Sequence, residues 1–216
     1  MRAMNKVLAG TAAVGLAATM AACGSDSDSG DPKPQGQFKT LTGQTTTVVP
    51  AKSFTDALTQ LKVTPGLVGN AKMTSEGFAF PITGGNATIY KKGDVKPYVQ
   101  GTIEHQGSGL SLTAGGIKVE LTNFTVDPGN NSKLTGDVSA NGKSVVKDAK
   151  LFDLDGSTLQ TPTISKSGVA TLKGTTIYLS QAAADLLNQT FKINVLKGGS
   201  KTGTEIGTAI IRATGK

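Results

Sequence analysis

The feature that most constrains this chain is a two-residue hydrophobic rhythm, broken every eight to fourteen residues by Gly, Asn, Asp or Pro. Val99, Gly101, Ile103 and His105 alternate onto one face, as do Leu110, Leu112 and Ala114. A period of two puts alternate side chains on one side of an extended strand, so such runs are half-buried antiparallel strands. The breaks carry turn chemistry: Gly84-Gly85-Asn86, Gln106-Gly107-Ser108-Gly109, Gly115-Gly116, Asp127-Pro128-Gly129-Asn130-Asn131 and Asn141-Gly142. Between two of them the phase slips, since Ile117, Val119 and Leu121 keep one register and Phe124 and Val126 the other. A bulge or bend near Thr122-Asn123 reconciles the two. Further strands are expected around Phe78–Ile82, Ala87–Tyr90, Leu134–Ala140, Val145–Leu154, Val169–Leu172, Thr175–Leu179 and Ile206–Ala213. So many short strands predict a mainly β domain, an antiparallel sandwich or barrel-like fold.

Two segments depart from this rhythm. Phe54, Ala57, Leu58 and Leu61 recur at helical spacing behind Ser53, with Asp56 three residues on, and Ser180 to Gln189 carries Ala183, Leu186 and Leu187 behind a Ser180 cap. Both read as short accessory helices that plug the ends of the β structure. With no Trp and few aromatics, the core must come largely from Val, Ile, Leu and Ala, with Phe54, Phe78, Phe80, Phe124, Phe152 and Phe191 as larger fillers.

The N-terminus follows a different logic. Arg2 and Lys6 precede an uncharged stretch from Val7 to Met20, and Ala21 and Ala22 lead into Cys23. That is the layout of a secretory signal, and the stretch falls short of the roughly 20 apolar residues that span a bilayer. Thr19-Met20-Ala21-Ala22-Cys23-Gly24 resembles the lipobox of bacterial lipoprotein precursors, with Met20 where Leu is commoner. The resemblance implies cleavage before Cys23 and lipidation of its thiol. Cys23 is the sole cysteine, and in an exported chain a lipidated thiol escapes the oxidation a free one would suffer. Gly24 to Gln37 has no large apolar residue and reads as a disordered tether, with a reach of about 20 Å. The expected organisation is a signal peptide over 1–22, lipidated Cys23 and linker over 23–44, and one β-rich domain over 45–216. The expected location is the extracytoplasmic face of the cell membrane.

Composition removes several functions. The formal charge is +7, or +5 without Arg2 and Lys6, and the lysines are scattered, which argues against nucleic acid as a partner. His105 is the only histidine, no Gly-x-Ser-x-Gly elbow exists and the one cysteine is the lipid site, so hydrolytic catalysis is not expected. One histidine cannot build a zinc site. Asp153-Leu154-Asp155-Gly156-Ser157 lacks the rest of a calcium loop and reads as a tight turn. No metal site and no catalytic residue are assigned.

The segment Gly101-Thr102-Ile103-Glu104-His105-Gln106-Gly107-Ser108-Gly109-Leu110-Ser111-Leu112, with Leu134-Thr135-Gly136-Asp137-Val138 beyond it, is similar to the haem-uptake surface domains of actinobacteria, the Hta type. The likeness spans about residues 52 to 155. In that family a tyrosine of the N-terminal helical region holds the iron and a histidine assists. His105 falls where the histidine would, but the first helix, Ser53 to Leu61, has no tyrosine, which leaves Tyr90, Tyr98 and Tyr178. The resemblance implies haem as a cofactor, with His105, Tyr98 and Tyr90 as candidate ligand-binding residues. The residues themselves favour a non-catalytic surface module, and a carrier of an apolar ligand such as lipid is the third expectation. A filled core marks the module and a hollow one the carrier.

Overall fold

Alternating residues build strands along most of the chain from Gly36 onward. The computed structural model describes residues 31–216; the expected signal peptide, Cys23 and the expected linker up to residue 30 lie outside them. In chain order come β1 (Gly36–Phe38), β2 (Leu41–Pro50), helix α1 (Lys52–Gln60), β3 (Thr64–Gly69), β4 (Lys72–Met73), β5 (Phe78–Pro81) and β6 (Gly84–Ile89). They are followed by β7 (Val99–Ala114), β8 (Ile117–Asp127), β9 (Lys133–Ala140) and β10 (Lys143–Asp155). A 3-10 turn (Gly156–Thr158), β11 (Thr163–Ile164), β12 (Ala170–Leu179), helix α2 (Gln181–Phe191) and β13 (Glu205–Gly215) complete the fold. One antiparallel sheet runs β1-β6-β7-β8-β9-β10-β12-β13-β2-β5-β4, with β3 added to β7 and β11 to β12. It curls into a half-barrel, as the barrel-like expectation has it.

The curl has a visible cause. Residues 106–108 of β7 bulge between the pairs His105–Phe124 and Gly109–Thr122, and the next three strands break register at the same level, between Thr122 and Thr125 and between Val146 and Ala149. A chain of side-chain bonds staples these bulges together. The Gly107 amide donates to Asn123 Oδ1 (3.0 Å), Asn123 Nδ2 donates to Asp137 Oδ2 (3.0 Å), and the Asp148 amide donates to Asp137 Oδ1 (3.2 Å). Asn123 sits at φ 55°, a left-handed conformation that Asn tolerates better than most residues. The bend expected near Thr122-Asn123 is therefore one link of a crease crossing four strands, and aligned bulges increase twist and curvature.

Several expectations need correction. Residues 36–38 and 41–44, assigned to the linker, are strand: β1 pairs with β6, β2 starts at Leu41, and Leu41 is 1% exposed. Their composition hides strands held by backbone pairing, to β6 for 36–38 and to β13 for 41–44, rather than by apolar alternation. Gly84-Gly85-Asn86 opens β6 and is not a turn, because a Cβ on Gly85 would run into the Thr102 carbonyl of β7. Gln106 to Gly109 does not end a strand either, since β7 is continuous and Gly109 lies against the Leu121 carbonyl. Val169–Leu172 and Thr175–Leu179 form the single strand β12, with a register shift at Gly174.

Both helices pack inward. α1 buries Phe54 and Leu58, but Ser53 is not its cap: the helix starts at Lys52, and Asp56 pairs with Lys52 (2.7 Å). α2 is capped as expected, Ser180 Oγ accepting from the Ala183 amide (3.1 Å) and donating to the Lys150 carbonyl (2.6 Å). It buries Ala183, Ala184 and Leu187. Among the described residues no helix is long and apolar enough to cross a membrane.

Candidate ligand-binding cavity

A sheet this wide, curled around a core with no Trp, encloses more space than Val, Ile and Leu side chains can fill. The result is a cavity of about 1040 Å³, at or above the upper end of small-molecule sites. Val48, Phe80, Ile103, Phe124, Val126 and Ile211 form much of its wall. Phe80 and Phe124 meet edge to face, centroids 5.4 Å apart at 74°. Toward the helices the packing closes: only about 40 Å³ remains between Phe54, Leu58, Leu187 and the strands beneath them. The core is thus hollow on one side and filled on the other.

His105 lines this cavity but is not free within it. It is 2% exposed, mid-strand on β7, rather than at a turn. Its Nδ1 lies 2.9 Å from the Pro81 carbonyl oxygen, which can only accept, so Nδ1 carries the proton and Nε2 accepts from the Thr46 hydroxyl (3.1 Å). Both ring nitrogens are therefore committed, one to β5 and one to β2. Burial pushes the imidazole pKa down to about 4, so the ring is neutral at physiological pH.

Tyr98 differs. It precedes β7 and lines the same cavity, and its hydroxyl is buried with no hydrogen-bond partner among the described residues. Burial raises its pKa, so it stays a phenol, and an unmet buried hydroxyl costs about 1–3 kcal/mol. Lys92 stands over its ring, Nζ 5.8 Å from the centroid, and donates to the Leu159 carbonyl (3.4 Å). The structure brings Tyr98 and His105 to one cavity and leaves Tyr90 outside it; the Tyr90 backbone amide donates to the Tyr98 carbonyl (2.8 Å).

The rim is charged. Lys92, Lys96, Lys133, Lys150 and Lys201 line it with only Asp153 and Asp155. Lys150 pairs with Asp153, Lys201 with Asp155 (3.5 Å) and Lys133 with Asp127 (3.9 Å). Lys92 and Lys96 have no carboxylate partner among the described residues. Asp155 accepts from the Ser157 amide (2.9 Å), the tight turn expected there. Neither lysine was singled out from sequence, although a lysine-dense connection flanked by Tyr90 and Tyr98 was there to be read.

No protein-family model matches the chain, and no curated protein does. Among solved structures it is similar to the C-terminal domain of HtaA from Corynebacterium glutamicum, with a TM-score of 0.53 at 15% identity, covering 82% of this chain and 98% of that one. The N-terminal domain of HtaA from the same organism aligns over 85% of this chain and 99% of that one, at 17% identity and a TM-score of 0.49. At such identities the first likeness is one of fold, and it extends well beyond the Gly101 to Leu112 segment. The described chain has an HtaA-like fold.

Proposed function

We propose that this protein is a non-catalytic binding module, tethered through Cys23 to the outer face of a bacterial membrane, whose half-barrel holds an apolar small molecule. The cavity of about 1040 Å³ carries the reading. A core that only needed to be stable would fill such a space, because voids forfeit dispersion contacts. Water gains little from walls such as Phe80, Ile103 and Phe124. A ligand burying about 300 Å² of apolar surface gains roughly 7 kcal/mol before the cost of association. The one histidine is locked by Thr46 and Pro81, which fits binding rather than proton transfer.

The test is a titration with a neutral, environment-sensitive probe, N-phenyl-1-naphthylamine. Saturable one-to-one binding is expected for the wild type, and its loss in Ala209→Phe, which places a ring in the cavity. Absence of saturable binding by a folded wild type would sink the reading.

Haem is a second reading, favoured by the unpartnered Tyr98 hydroxyl together with the HtaA-like fold. Tyr98 would supply the oxygen ligand, and Lys92 and Lys96 the cations for the carboxylates; haem would bring its iron to that oxygen. His105 does not fit as an iron ligand while both nitrogens are bonded. Hemin titration separates the readings: a Soret shift that Tyr98→Phe abolishes supports haem, and no shift leaves the apolar-ligand reading alone.

A further inference from the structure

We infer that the connection between β6 and β7 is an anion clamp, with Tyr98, Lys92 and Lys96 holding the carboxylate of a long-chain ligand whose apolar tail fills the half-barrel. The inference rests on the reading of the cavity as a ligand site and specifies what the ligand carries at its polar end.

Three observations meet on this one loop. The Tyr98 hydroxyl is buried, borders the cavity and has no acceptor among the described residues. Buried hydroxyls are nearly always paired, so a donor without an acceptor beside an apolar hollow marks the place of a ligand oxygen. Lys92 and Lys96, both exposed rim residues, are the rim cations that lack a carboxylate, whereas Lys133, Lys150 and Lys201 each have one. Charge imbalance is therefore local to this side of the mouth. Lys92 is already drawn toward Tyr98, standing over its ring.

The chemistry of the donors narrows the anion. A phenol O–H and two point-charge ammonium groups suit a small anionic group at the mouth. The planar, bidentate arginine fork often found at phosphates is not part of this rim; Arg212 does not line the cavity and pairs with Glu76 elsewhere (3.0 Å). The wall behind the clamp, with Val99 and Ile103 following Tyr98 on β7, is apolar. A carboxylate at the mouth with a hydrocarbon chain behind it satisfies both environments, and its hydrogen bonds would be charge-assisted.

The experiment compares cis-parinaric acid with its methyl ester by fluorescence titration at pH 7, using wild type, Tyr98→Phe and the double variant Lys92→Met/Lys96→Met, each first shown by thermal melting to be folded. Wild type is expected to bind the acid at least about tenfold more tightly than the ester. In each variant the acid is expected to lose several times more affinity than the ester, so that the preference shrinks. Equal binding of acid and ester by wild type overturns the clamp but leaves the apolar site standing, as does a preference that survives in both variants. Failure of both compounds to bind overturns the reading of the cavity itself.

Discussion

His105 makes a quantitative prediction about pH. Its ordinary pKa of 6.5 falls to about 4 in the fold because the buried ring cannot be charged without losing water. The unfolded chain therefore takes up a proton first as pH falls. His105 costs no stability above about pH 6.5, an increasing amount as pH falls toward 4, and a constant amount below. About 2.5 pH units at 1.36 kcal/mol each give about 3 kcal/mol. The window is clean, because this is the only histidine. Glu76 and Asp137, held below their ordinary values of 4.5 and 3.8 by hydrogen bonds from Arg212 and Asn123, act in the same direction but at lower pH. The stability they contribute is present above those values and is lost only below them. Urea unfolding at steps from pH 7 to pH 4 should show wild type losing about 3 kcal/mol. A His105→Gln variant, less stable at pH 7, should show a nearly flat profile down to about pH 4.5. The single imidazole resonance should titrate near 4 in the native protein. A native pKa near 6.5, or a wild-type profile as flat as that of the variant, would refute the reasoning.

Other outcomes follow from the same structure. Asn123→Ala removes the left-handed residue and two bonds of the crease, and should cost about 2 kcal/mol by urea unfolding, with Asn123→Gly recovering only the backbone part. Ser180→Ala loses the cap of α2 and leaves the Lys150 carbonyl without that donor, which should also cost about 2 kcal/mol in the same assay. Metabolic labelling with a palmitate analogue should mark the wild type, and Cys23→Ala should abolish the label; a label that survives the substitution contradicts the anchor.

The sequence was most readable where local chemistry had one use. Gly115-Gly116, Asn141-Gly142 and the Asp127 to Asn131 segment are connections as expected, because each joins strands adjacent in the sheet. Glycine misled where the constraint came from another strand, as at Gly85 and Gly109, whose missing Cβ makes room for a neighbouring backbone. β3 escaped notice because Pro65 argues against a strand, yet β3 pairs only with β7, where an edge proline is tolerated. Of the site, His105 and Tyr98 could be named as residues, but not the locking of one and the freedom of the other. The locking depends on Thr46 of β2 and Pro81 of β5 meeting His105 of β7, strands far apart in the sequence. The hollow itself depends on bulges aligned across four strands, a long-range property that no single strand's pattern carries.

The most direct test of the hollow half-barrel as a ligand site is native mass spectrometry of the full-length protein, and of its Ala209→Phe variant, purified from host membranes with no ligand added. The account predicts a one-to-one adduct on the wild type that solvent extraction releases as a long-chain carboxylate and that the variant lacks. Wild type and variant running at their bare protein masses, or carrying the same adduct in equal amount, would contradict it.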